Sequence, residues 1–63
     1  MKNTVAFKGE RIRQNFVVIN IIDSAVYQIV LNGIEIVLLN DLFHTLDVFK
    51  RLIKAIKNRK AGL

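Results

Sequence analysis

The chain has no cysteine, and its 63 residues include only one histidine, one serine and three glycines. Each scarcity removes options. Without cysteine there is no disulfide, and a lone His44 leaves no ligand set of the zinc type. The glycines at 9, 33 and 62 stand too far apart to build a phosphate-cradling loop. His44 has Asp41 at i−3 and Asp47 at i+3, which reads as a polar helix face with acids in its first half rather than as a metal site. Nothing around Ser24 resembles the strained turn of a catalytic nucleophile, and a chain this short has little room for a water-excluded pocket. No metal, cofactor or enzymatic activity is expected.

Charge is scarce in the middle. Residues 14–40 carry only Asp23 and Glu35, whereas both ends are basic. Lys2, Lys8, Arg11 and Arg13 stand against Glu10 in the first segment. Lys50, Arg51, Lys54, Lys57, Arg59 and Lys60 stand against Asp41 and Asp47 in the last, for a net charge of +5. Such a balance favours an anionic partner and says nothing about fold.

Long uninterrupted apolar runs are also lacking. Asn20, Asp23, Ser24 and Gln28 break the stretch from Phe16 to Leu31, and a membrane span needs about 20 largely apolar residues in succession. Lys2 is followed by TVAF and then by the charged KGERIRQN, which is not the pattern of a signal peptide. The expectation is a cytoplasmic protein without a membrane partner. The absence of cysteine suits a reducing interior.

What the chain has in quantity is apolar side chains, at 52% of residues. One domain spanning 1–63 is expected. A domain of this size buries only about 60% of the surface its unfolded form exposes, so a lone core is marginal. With disulfides and metals closed off, homo-oligomerisation, most simply a homodimer, is the remaining source of stability.

The most apolar and best punctuated stretch is VYQIVLNGIEIVLL, Val26 to Leu39. Asn32-Gly33 favours the type I′ turn, whose two central residues need positive φ, and predicts a β-hairpin. A two-residue loop pairs Leu31 with Ile34, Ile29 with Ile36 and Tyr27 with Leu38 on one apolar face. Val30, Gln28 and Val26 then pair with Glu35, Val37 and Leu39 on a mixed face. Upstream, Asn3 to Phe7 alternates as a short strand, with Lys8-Gly9-Glu10 as a turn. In FVVINIID, Phe16, Val18, Asn20 and Ile22 share one face of a strand and Val17, Ile19 and Ile21 the other, ending at an Asp23-Ser24 turn.

Downstream, Asn40 is the expected N-cap, with Asp41 in the first turn at the positive end of the helix dipole. Leu42, Leu46, Phe49, Ile53 and Ile56 recur at helical spacing, widened by Val48 and Leu52. Asp47 can pair with Lys50 or Arg51, and Gly62 lies just past the end. The predicted fold is therefore α+β: a small antiparallel β-meander of three to four strands closed by one C-terminal amphipathic helix over about 41–59.

A second architecture competes. Ile12, Phe16, Ile19, Ile22, Val26 and Ile29 also fit a helical stripe, with Asn32-Gly33 as a helix C-cap. That gives an all-α helical hairpin dimerising into a four-helix bundle. Composition favours the sheet, because eleven of the 24 residues from Phe16 to Leu39 are Val or Ile and only Ala25 is alanine.

The remaining functional signal is basic. Lys50, Lys54 and Lys57 lie along one helix flank, with Arg51 nearby and Arg59 and Lys60 beyond. This is either a solvated face that keeps an apolar protein soluble or a set of phosphate contacts. Lys8, Arg11 and Arg13 of the N-terminal arm join the second reading if they fall on the same side. Such contacts position a protein on nucleic acid without reading sequence. Four of the five aromatics read as core, which leaves no stacking platform for single strands. In isolation Phe49 to Lys60 resembles an interfacial membrane helix, but folding needs its apolar face. The expected function is that of a non-enzymatic, homo-oligomeric nucleic-acid-binding or regulatory protein. A protein-interaction module, an inhibitor or adaptor using an apolar sheet face or edge, is the alternative.

Overall fold

A computed structural model of the chain describes residues 3–59. Four strands run antiparallel in sequence order, β1 (Thr4–Ile12), β2 (Asn15–Ile22), β3 (Val26–Leu31) and β4 (Ile34–Leu39), and are followed by one helix, α1 (Leu42–Asn58). This is the α+β meander. The all-α helical hairpin is not supported, since the segment rich in Val and Ile is strand apart from its two turns.

The turns follow backbone chemistry. Asn32 and Gly33 both take positive φ, 52° and 84°, as a type I′ hairpin requires. Asp23 and Ser24 do the same at 53° and 58°, and the Ala25 amide closes the turn onto the Ile22 carbonyl at 3.1 Å. Asn32 has a second task. Its side chain accepts from the Phe16 amide at 2.9 Å and donates to Asn15 Oδ1 at 3.0 Å, which fastens the hairpin tip to β2.

The first strand is longer than expected. No turn forms at Lys8-Gly9-Glu10, because the segment is paired with β2 along its length, Lys8 to Ile19, Gly9 to Val18 and Glu10 to Val17. Gly9 serves packing instead. A Cβ there would lie 3.2 Å from Phe16 Cζ, so the bare backbone accepts the edge of that ring. The chain reverses at Arg13-Gln14, where Arg13 takes the left-handed φ of 57°.

The β3–β4 register departs from the simple hairpin. Leu31–Ile34 and Val30–Glu35 pair as expected, but a bulge follows, and Ile29 then faces Val37, Gln28 faces Leu38 and Tyr27 faces Leu39. Ile36 is the extra residue. One inserted residue reverses every side chain after it, so Val37 and Leu39 turn to the helix and Leu38 turns away. Positions 36–39 are all apolar, so their pattern holds no register information. A second bulge, at Phe7, interrupts β1 between Ala6 and Lys8.

Asp41, not Asn40, is the N-cap of α1, since its Oδ2 accepts the His44 amide at 2.7 Å. Thr45, fully buried, donates its hydroxyl to the Asp41 carbonyl at 2.7 Å. The buried line along the helix is Thr45, Phe49 and Ile53, flanked by Leu46, Leu52 and Ile56, while Leu42 is 39% exposed. Beneath it lie Ile12, Val17, Ile19 and Ile29. The helix starts beside the β4 edge and ends at the β1–β2 turn, where the Arg13 guanidinium donates to the carbonyls of Ile56 and Lys57 at 2.8 and 3.1 Å. It therefore crosses the sheet diagonally. Gly62, the expected C-terminal stop, lies outside the described residues, and Arg59 is the C-cap.

One helix covers one face. On the other, Phe7, Phe16 and Leu38 are 47, 45 and 49% exposed. Phe43 on the helix is 85% exposed, leaving Phe49 as the one fully buried aromatic. The expectation that four aromatics form the core is corrected. A four-strand sheet under a single helix has interior room for few rings. No helix among the described residues is long and apolar enough to cross a membrane.

Candidate functional site

Extending β1 through Gly9 to Ile12 decides where its charges go. Along a strand alternate residues share a face, so Lys8, Glu10 and Ile12 all lie on the helix side. There they meet the flank of α1 that carries Lys50, Lys54 and Lys57. The result is an open cleft of about 520 Å³ between β1 and α1, rimmed by these four lysines and Glu10 and floored by Leu46, Phe49 and Ile53.

The rim holds four cations against one anion. Lys57 Nζ lies 3.6 Å from Glu10 Oε2, and Lys8 Nζ stands 5.9 Å above the centre of the Phe49 ring. The first contact ties the rim together across the cleft. The second holds a cation over the apolar floor by attraction to the ring face. Among the described residues, Lys8, Lys50 and Lys54 are in no salt bridge, so the cleft keeps an excess of positive charge open to solvent. Compared with protein-family models, curated proteins and solved structures, the chain matches none.

The other basic residues are dispersed. Arg51 pairs with Asp47 at 3.1 Å on the exposed side of the helix. Arg13 is occupied by the helix C-terminus, where a cation satisfies orphan carbonyls and opposes the dipole. Arg59 caps the same end. Arg11 lies on the opposite face of the sheet, its guanidinium 5.7 Å from the centre of the Phe16 ring. Lys60 lies outside the described residues. Of the nine expected contact residues, the structure brings together Lys8, Lys50, Lys54 and Lys57. Glu10 and the Phe49 floor were not foreseen. A β1 read as continuous would have predicted Glu10 beside Lys8, because two residues apart on a strand means one face.

The acids of the polar helix face have structural work. Asp41 caps the helix and Asp47 holds Arg51, and no cluster of three or more His, Cys, Asp or Glu placed to hold a metal occurs among the described residues. Ser24 belongs to a tight turn.

Proposed function

We propose that this chain is a small, non-enzymatic basic protein that works as a homo-oligomer and holds nucleic-acid phosphates in the cleft between β1 and α1. The observation that carries this reading is the convergence of Lys8 from the sheet with Lys50, Lys54 and Lys57 from the helix. A solvated helix face needs no such convergence. Solubility is served equally by charges scattered over the surface, whereas a row of cations along a groove matches a row of phosphates. The lysines are point charges with flexible stems, suited to backbone contact and not to reading bases, so binding is expected to be sequence-tolerant. A cytoplasmic, regulatory or architectural role goes with that kind of contact.

Titration of duplex DNA and duplex RNA in a mobility-shift assay at 50 and 200 mM salt, concentrations that span about the range where phosphate contacts lose most of their affinity, tests the reading. Binding that weakens steeply with salt supports it. No binding at low salt, or binding indifferent to salt, refutes it. The alternative of a protein-interaction module draws on a separate observation, the uncovered face of the sheet.

A further inference from the structure

The uncovered face carries more than exposed apolar side chains. By register it presents Arg11 and Phe16 in one row, Gly9, Val18, Val30 and Glu35 in a second, Ala6, Asn20, Gln28 and Leu38 in a third, and Thr4, Ile22 and Val26 in a fourth. Its polar groups are organised. Asn20 Nδ2 donates to Gln28 Oε1 at 3.1 Å, and Gln28 Nε2 donates to Glu35 Oε1 at 2.9 Å, so the amides are partnered before anything covers them. Among the described residues its two charges stand at opposite edges, Arg11 on β1 and Glu35 on β4.

We infer that this face is covered by the same face of a second copy, about a two-fold axis that runs parallel to the strands between β2 and β3. The inference rests on the oligomeric part of the reading above and not on phosphate binding, since the lysine cleft lies on the other side of the sheet. Charge complementarity selects the axis. A rotation about that axis lays β1 of one copy over β4 of the other and leaves the level along the strands unchanged. Arg11 then sits two residues, about 7 Å along the strand, from Glu35 of the second copy, within the reach of an arginine side chain. The contact occurs twice, as an isologous interface requires. An axis perpendicular to the strands would stack β1 on β1 and leave both charges without a partner.

The area is sufficient. Four strands about 4.8 Å apart and seven residues at about 3.3 Å each give a face of about 19 by 23 Å. With side-chain relief each copy contributes about 600 Å², and the pair buries about 1,200 Å², the lower bound for a specific interface. Aligned sheets packed about 10 Å apart accommodate such a face, with Val18, Val30 and the Asn20–Gln28 pair at its centre and Phe7, Phe16 and Leu38 towards its margins.

Sedimentation equilibrium of the full chain, with far-UV circular dichroism of every variant, tests this. The wild-type protein is expected to be a dimer at micromolar concentration, and Leu38→Glu a monomer with an unchanged spectrum. Arg11→Glu and Glu35→Arg should each weaken the dimer about tenfold, and the double exchange should restore it, as coupled charges across one interface do. A wild-type monomer overturns the inference. So does a dimer indifferent to Leu38→Glu, or charge variants that do not rescue each other; these last two positions are exposed, so their folding is not at stake. A monomer that binds single-stranded oligonucleotides and loses them on Phe16→Leu overturns it in favour of base stacking. Dimerisation without salt-dependent nucleic-acid binding would leave this inference standing and refute the function proposed for the cleft.

Discussion

Glu10 is the informative residue for the cleft, because its removal should strengthen binding where most substitutions weaken it. Among the described residues, three rim lysines are in no ion pair and the fourth, Lys57, is shared with Glu10. Each phosphate neutralised on duplex DNA contributes about −0.9 to the slope of log K against log salt, so three free cations give a slope of about −2.7. A fourfold rise in salt then costs about 40-fold in affinity. Glu10→Gln keeps the side chain's size and frees Lys57, raising the slope to about −3.6 and the same loss to about 150-fold, with tighter binding at low salt. Lys54→Ala moves the other way, to about −1.8 and a loss of about 12-fold. Fluorescence anisotropy with a short labelled duplex, run at four or more salt concentrations for the three proteins, measures the slopes directly. Equal slopes in all three would refute the assignment of the cleft, whatever the absolute affinities.

Other expectations concern the fold that holds the cleft open. Gly33→Ala places a Cβ where nothing lies within 4 Å, so its cost is backbone strain alone, at φ 84° about 1–2 kcal/mol. Thermal unfolding should report it as a fall in Tm of about 4–8 °C per kcal/mol for a chain this small. Asp41→Ala removes the acceptor of the His44 amide and should cost about 1 kcal/mol, while Asp41→Asn should be near neutral. Phe49→Ala empties the floor of the cleft and the centre of the core together, at about 3–5 kcal/mol, and denaturant titration should find little folded protein left. Arg13→Ala should speed amide exchange in the last turn of α1 and leave the rest of the helix protected, since its two hydrogen bonds end on Ile56 and Lys57.

Local chemistry alone was enough for much of this protein. The β-branched run from Phe16 to Leu39, the turns at Asp23-Ser24 and Asn32-Gly33, and the apolar stripe of α1 depend on near neighbours, and all are legible in the sequence. The lysine flank of the helix is of the same kind, because helical spacing sets it. Gly9, by contrast, reads locally as a turn. Only its pairing with Val18 on the neighbouring strand, with the Phe16 ring packed over it, makes it part of a strand and carries Lys8 and Glu10 to the helix side. The bulge at Ile36 is likewise invisible in an unbroken apolar run, yet it decides that Val37 and Leu39 face the helix while Leu38 faces away. The role of Arg13 depends on a helix end more than forty residues later in the chain. Turns and amphipathic stripes are short-range properties. Strand register, the capping of one element by another and the meeting of two charged edges are set by contacts between distant segments, and those exist only once the sheet and helix have packed.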